Sequence, residues 1–170
     1  MDLANLNLIS FFTNGHVTGD FYKDVSYFKE YNFVNCEDDD LEDDLVIEKH
    51  ILQQLKELHK EIGENYVSQL FPNYELMNCG MWEGVDDGSR VWHNDQMYHN
   101  MNSNFLIYLD DTNKHDNCIE FKTAEGEFKV LPKENEFVWI NQSKKFQHRA
   151  RHNGGRRRIL SFEFLIDGLE

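Results

Sequence analysis

The chain has 170 residues, 40% of them hydrophobic and 14% aromatic, and a formal net charge of −14 at pH 7. That length suits one domain with a proper core, and that composition excludes a disordered chain. The negative charge repels phosphate backbones and anionic lipid, which sets nucleic acid and membrane surfaces aside as partners.

Cys36, Cys79 and Cys118 are odd in number, far apart and without a C-x-x-C pair, the pattern of a reducing compartment. The opening Met1-Asp2-Leu3-Ala4-Asn5 lacks a basic stretch, and no apolar run approaches the ~18 residues of a membrane span. The expectation is a soluble, cytoplasmic protein of one domain over 1–170; nothing in the sequence fixes its oligomeric state.

Residues 5–12 alternate and then turn fully apolar, so a first strand is expected there, with Thr13-Asn14-Gly15 as the turn after it. Residues 21–34 are rich in aromatics without a clean period and read as irregular or a short strand. The acidic cluster Asp38–Asp44 reads as a solvated loop placing negative charge at a helix N-terminus, since the glycine spacing of a calcium loop is absent. From Leu45 to Ile62 the apolar residues Val46, Ile47, Ile51, Leu55, Leu58 and Ile62 fall near helical spacing, which predicts an amphipathic helix ended by Gly63. His50 and His59 on it are read as at best partly exposed and not as ligands. A shorter helix is expected over Glu64–Leu70.

From residue 74 the texture changes. Segments 74–82, 89–95, 103–110, 117–122, 127–131, 136–141, 146–150 and 157–165 are short, rich in β-branched or aromatic residues, and separated by turn residues. Helices first and an all-β half after them predict an α+β, mostly β fold, a jelly roll buttressed on one sheet by helices.

Within that half, His93-Asn94-Asp95 places an imidazole and a carboxylate two residues apart, on one face if the segment is a strand. His148 follows 55 positions later in a second strand-like segment. Two imidazoles and one carboxylate form the facial set that holds non-haem Fe(II) with open positions for other ligands. His99 and His152 read as non-ligands, His152 because Asn153-Gly154-Gly155 argues for a turn. In the last strand, period two puts Arg158, Leu160, Phe162 and Phe164 on the face that packs on the helix, and Arg157, Ile159, Ser161 and Glu163 on the other. Buried polar groups cost about 1–3 kcal/mol each unless paired, so the second face suggests a ligand pocket. Arg157, nine residues after His148, can clamp a carboxylate bidentately. A one-residue slip would hand that task to Arg158. Tyr108 shares a face with Leu106; its phenol either meets the carboxylate held by Arg157 or reaches solvent at the strand end. Glu83–Ser89 has the glycines and polarity of a mobile loop able to close on substrate.

These segments resemble the Fe(II)/2-oxoglutarate-dependent dioxygenases, and among them the prolyl hydroxylase-like group. His93-Asn94-Asp95 resembles the H-x-D motif that opens its double-stranded β-helix, and Tyr108-Leu109-Asp110 its Tyr-Leu-Asn/Asp strand end. Asn117–Phe121 resembles the Gly/Cys-containing segment without its usual glycines, and Leu131–Trp139 the Pro-containing turn and strand. Gly155–Phe162 is similar to the closing G-x-R-x-x-L pattern, with Glu163 where an aromatic is usual. The resemblance implies a β-helix core over about 74–165 with a helical buttress over about 41–70. It implies iron ligands His93, Asp95 and His148, a 2-oxoglutarate pocket of Arg157, Tyr108 and Ser161, and Trp82 facing the site. It further implies O2 as oxidant and ascorbate in support of turnover. The substrate it implies is a prolyl residue in a peptide or protein. A free amino acid or other small metabolite is the alternative, with Glu163 available to pair with an amine, and a non-catalytic cupin-like metal-binding jelly roll is the competing class.

Overall fold

A computed structural model of the chain describes residues 12–16, 28, 49–84, 88–89, 91–95, 100–111, 117–124, 126–142 and 147–169. The acidic cluster at 38–44 lies outside them, as do the expected strand at 5–12 apart from Phe12 and the aromatic stretch at 21–34 apart from Phe28.

The helical layer begins with α1 (Lys49–Ile62). Ile51, Leu55, Leu58, His59 and Ile62 are buried along one stripe, as the 3.6-residue period requires. Gly63 does not end the helix: the backbone widens into a π-turn over Gly63–Val67 and closes with one α-turn, α2 (Ser68–Leu70). Glycine is needed at 63 for space, because a Cβ there would stand 2.7 Å from the Tyr74 ring. The widened turn carries Tyr66 onto Phe105 and Phe137, with ring centroids 5.4 and 5.5 Å apart.

Nine strands follow among the described residues: β1 (Phe12–His16), β2 (Tyr74–Gly84), β3 (Gly88–Ser89), β4 (Ser103–Tyr108), β5 (Cys118–Thr123), β6 (Gly126–Val130), β7 (Glu136–Asn141), β8 (Gln147–His152) and β9 (Arg157–Ile166). They form two antiparallel sheets, ordered β1-β7-β4-β9-β2 and β3-β8-β5-β6. The fold is thus mostly β with a helical layer, a jelly roll as expected. Three local expectations are corrected. Thr13-Asn14-Gly15 is not a turn but the middle of β1, paired with β7 from Phe12↔Ile140 to His16↔Glu136; ladder hydrogen bonds outweigh the weak turn preference of Asn-Gly. The expected strand at 89–95 is not formed as such: Ser89 belongs to β3, residue 90 lies outside the described residues, and 91–95 run irregularly apart from a single bridge at His93. Glu83 and Gly84 end β2 and Gly88–Ser89 form β3 instead of belonging to one loop, with 85–87 outside the described residues.

The five-stranded sheet is buried on both faces. Phe105, Ile107, Phe137, Trp139, Leu160, Phe162 and Phe164 pack with Ile51, Leu55, Leu58 and Ile62 of α1. The alternate residues Leu106, Tyr108, Val138 and Ile140 face Ile119 and Phe121 of the second sheet. β9 divides its faces as period two predicts. Gly154 and Gly155, at φ 109° and 77°, make the turn that brings β9 back from β8. Among the described residues, no helix is long and apolar enough to cross a membrane.

His59 is 3% exposed, within the limit of at best partial exposure expected for it, whereas His50 on the same helix is exposed, contrary to that expectation. It packs on Phe162 and Phe164 and hydrogen-bonds the Glu163 carbonyl at 2.9 Å. Burial lowers its pKa to about 4 against the carbonyl's smaller opposing effect. The unfolded chain therefore takes up this proton near pH 6.5 and the folded chain only near 4. Stability is full above 6.5 and falls as pH drops through that window, by roughly 3 kcal/mol for this group. Urea titrations near pH 7 and near pH 4.5 should show a smaller loss for His59→Gln than for the wild type. Leu55→Ala, at a position with no exposure, should cost about 2–5 kcal/mol in the same assay.

Candidate functional site

One β-bridge joins His93 to His148 of β8. The His93 N–H donates to the His148 carbonyl at 3.0 Å and the His148 N–H to the His93 carbonyl at 2.9 Å. Their rings lie 4.4 Å apart, centroid to centroid. Asp95 converges on the pair, with Oδ1 3.2 Å from His93 Nε2 and Oδ2 3.5 Å from His148 Nε2. Ligand atoms of the three residues all lie within 4.8 Å of one another. The convergence does not come from a strand at 93–95, as the sequence pattern suggested, but from the bridge and the tight bend after it.

Beyond the bridge, Asn94 and Asp95 are tied to Gln142 instead of a ladder. The Asn94 side-chain amide donates to the Gln142 carbonyl, and the Asp95 N–H donates to Gln142 Oε1 at 3.2 Å. Gln142 Nε2 donates in turn to Asp95 Oδ2 at 2.9 Å. His93 Nδ1 lies 2.9 Å from the Val91 carbonyl, so it carries the proton and leaves the Nε2 lone pair for an electrophile. His148 is buried, and burial lowers its pKa to about 4, opposed by the Asp95 carboxylate and reinforced by His93 and Arg157. It is neutral at pH 7, the state a metal ligand requires. The His93 and Asp95 side chains are 22% and 23% exposed, so the cluster opens to solvent on one side.

The three consecutive arginines have three different environments. Arg156 pairs with Glu83 at the surface, Nε to Oε1 2.8 Å. Arg158 is held by Asp110: Nε to Oδ2 2.8 Å, Nη2 to Oδ1 2.6 Å, and the backbone N–H to Oδ2 2.9 Å. That bonding raises its pKa further. Arg157 is buried between the sheets, its guanidinium 5.9 Å from the Tyr108 ring centroid and its Nε without a partner. The Tyr108 hydroxyl is also buried and makes no hydrogen bond. Burial raises its pKa, while the nearby Arg157 charge draws it down by less. Asp110 thus occupies Arg158 and leaves Arg157 without an ion pair among the described residues.

Ser161 lies two residues along the inner face of β9 from Ile159, and its hydroxyl donates to Asn104 Oδ1 at 3.0 Å. Trp82 is half-buried and pairs in register with Ile159, beside Gly80, which pairs with Ser161. Glu163 is buried on the same face, with the Asn78 amide donating to it at 3.2 Å. His99 lies outside the described residues, and His152 sits four residues beyond His148 in β8, paired with Gly88. Gln142 and Asn94 gave no signal in the sequence: an amide after an apolar strand has no motif, and its partners are 47 and 48 positions away.

No protein-family profile matches the sequence, and no curated protein matches it. Solved structures do match. An oxidoreductase of the 2OG-Fe(II) oxygenase family from Burkholderia pseudomallei is similar with a TM-score of 0.54 at 14% identity, over 68% of this chain and 55% of that one. A prolyl 4-hydroxylase from Phytophthora capsici is similar with a TM-score of 0.55 at 14% identity, over 70% and 45%. A prolyl hydroxylase from Trichoplax adhaerens, solved with a hypoxia inducible factor peptide fragment, gives 0.52 at 13%, over 65% and 57%. The chain spans about half the length of these structures, and at such identities the likeness is one of fold.

The Arg158–Asp110 pair is buried at the arginine, 7% exposed against 19% for the aspartate. Asp110→Ala strands that charge and should cost about 3–5 kcal/mol in urea unfolding. Arg157→Ala, which breaks no ion pair among the described residues, should cost clearly less.

Proposed function

We propose that this chain is a non-haem Fe(II)/2-oxoglutarate-dependent oxygenase acting on a prolyl residue in a peptide or protein. One observation carries the reading. His93, Asp95 and His148 converge, and the Arg157 charge is close enough to act on His148, while Arg157 Nε and the neighbouring Tyr108 Oη are buried without hydrogen-bond partners. The first set fits a divalent cation. The second fits a carboxylate: a buried guanidinium or phenol left unpaired costs about 1–3 kcal/mol, which a bidentate anion would recover.

In this reading His93 and His148 offer Nε2 lone pairs and Asp95 a carboxylate oxygen to Fe(II). Arg157 and Tyr108 hold the far carboxylate of 2-oxoglutarate, with Ser161 beside them. When bound, iron and 2-oxoglutarate supply the oxidising chemistry: O2 is consumed, 2-oxoglutarate becomes succinate and CO2, and one oxygen atom enters a substrate C–H bond. The chain's part is to orient these groups and keep water out. Leu106, Ile119, Phe121, Val138 and Ile140, all buried around Tyr108, supply the dry wall. The prolyl assignment leans on two fold neighbours being prolyl hydroxylases, one with a bound peptide. A chain of net charge −14 suits a basic peptide segment. A free amino acid or small amine is the second reading, favoured by the buried carboxylate of Glu163 on the face that carries Arg157 and Ser161.

Two experiments test this. The protein with Fe(II), ascorbate and 2-oxoglutarate should form succinate, and basic proline-containing peptides should gain about 16 Da, the mass of one oxygen atom. Products only from free amino acids would move the substrate to the second reading; metal binding with no 2-oxoglutarate binding would leave a cupin-like metal protein. His93→Ala, Asp95→Ala and His148→Ala should each abolish stoichiometric metal binding, whereas His50→Ala, on the exposed side of α1, should not. Arg157→Ala should weaken 2-oxoglutarate binding by about 10²-fold or more, the loss of a charge-assisted bidentate contact.

A further inference from the structure

Gln142 is not a residue that the sequence pattern picks out, yet it is fully buried and touches the metal-binding bend at three atoms. Its backbone N–H extends the β4–β7 ladder by donating to the Asn102 carbonyl at 2.9 Å. Continuing the period of β7, its side chain shares a face with Val138 and Ile140. From there the primary amide meets Asp95 twice: Oε1 accepts from the Asp95 N–H at 3.2 Å, and Nε2 donates to Asp95 Oδ2 at 2.9 Å. The Gln142 carbonyl accepts from the Asn94 side chain.

We infer that Gln142 is a positioning residue for Asp95, an inference that rests on the proposed metal site. The two contacts fix both the backbone and the carboxylate plane of one residue, which a single bond leaves free to rotate. Because Nε2 occupies a lone pair of Oδ2, the carboxylate presents Oδ1, the oxygen 3.2 Å from His93 Nε2, to a shared cation. Gln142 thereby selects ligation through one oxygen and keeps a coordination position open for cosubstrate. The residue type is specific: only a primary amide of this length offers a donor and an acceptor to the same aspartate. Glutamate in its place has the size but turns the donor into a like charge, and leucine keeps bulk without either group.

The test uses Co(II) as the probe, titrated into the metal-free full chain, with affinity and visible d–d absorption as readouts. Gln142→Leu and Gln142→Glu should each bind Co(II) about 10–100-fold more weakly, the usual effect of removing a hydrogen bond to a ligand. At saturating Co(II) their absorption should differ from the wild type, as expected if the carboxylate rotates to a different ligation. Circular dichroism of the metal-free variants separates this from misfolding, and the near-isosteric glutamate variant serves if leucine disturbs the fold. Affinities within about twofold of wild type, with an unchanged spectrum, overturn the inference while leaving the metal site intact. Wild-type protein whose Co(II) binding does not depend on His93 and His148 overturns the metal site itself, and the role of Gln142 with it.

Discussion

The site depends on one antiparallel bridge. His93 and His148 exchange both backbone hydrogen bonds, at 3.0 and 2.9 Å. The pair continues along β8 from Gly88↔His152 and Ser89↔Arg151, so His93 stands at the end of a short ladder on that strand. The structure supports it from the side: Asn94 and Asp95 are both tied to Gln142 at the end of β7. Two histidines 55 positions apart and a carboxylate between them in space are the consequence.

The five-stranded sheet sets the chemistry around that bridge. Its two faces are buried against different layers, α1 on one side and the second sheet on the other. The helix-facing side is mostly apolar, with Ser103 accepting from Trp139 Nε1 at 2.6 Å, and His59 of α1 packs against it, kept neutral at the expense of its basicity. The inner side mixes Leu106, Val138 and Ile140 with Tyr108, Arg157, Ser161, Asn104 and Glu163. An interior meant only to pack would not carry these groups, since each must be satisfied or else lowers stability. Ser161 is satisfied by Asn104. Tyr108 and Arg157 are not, and their unmet hydrogen bonds are what a bound carboxylate would supply.

Neighbouring charges show how position, more than identity, decides the role of a residue. Arg156, Arg157 and Arg158 are chemically identical, yet one pairs at the surface with Glu83, one is enclosed beside Tyr108, and one is locked by Asp110. The alternation of β9 separates the last two onto opposite faces. Asp110 then saturates Arg158 with three hydrogen bonds, leaving Arg157 as the cation available between the sheets.

The sequence by itself determined the elements whose periodicity is regular: α1, seven of the eight strand segments after residue 74, and the two faces of β9. These are set by which side chains must leave water, and that information is local in the chain. It also singled out His93, Asp95, His148, Arg157 and Tyr108, because their residue types and spacings are unusual for a packed interior. Tertiary structure alone decided what depends on partners distant in sequence. Asn-Gly at 14–15 became strand because β7 offered a ladder, and the chain ran past Gly63 as a π-turn with Tyr74 in the space a Cβ would take. Residues 91–95 formed no strand beyond the His93 bridge, with Asn94 and Asp95 tied to Gln142, and Arg158 was taken up by Asp110. In these cases the deciding partner is distant in the chain, up to 128 positions for Phe12 and Ile140, so local preferences worth about 1 kcal/mol or less did not decide the outcome.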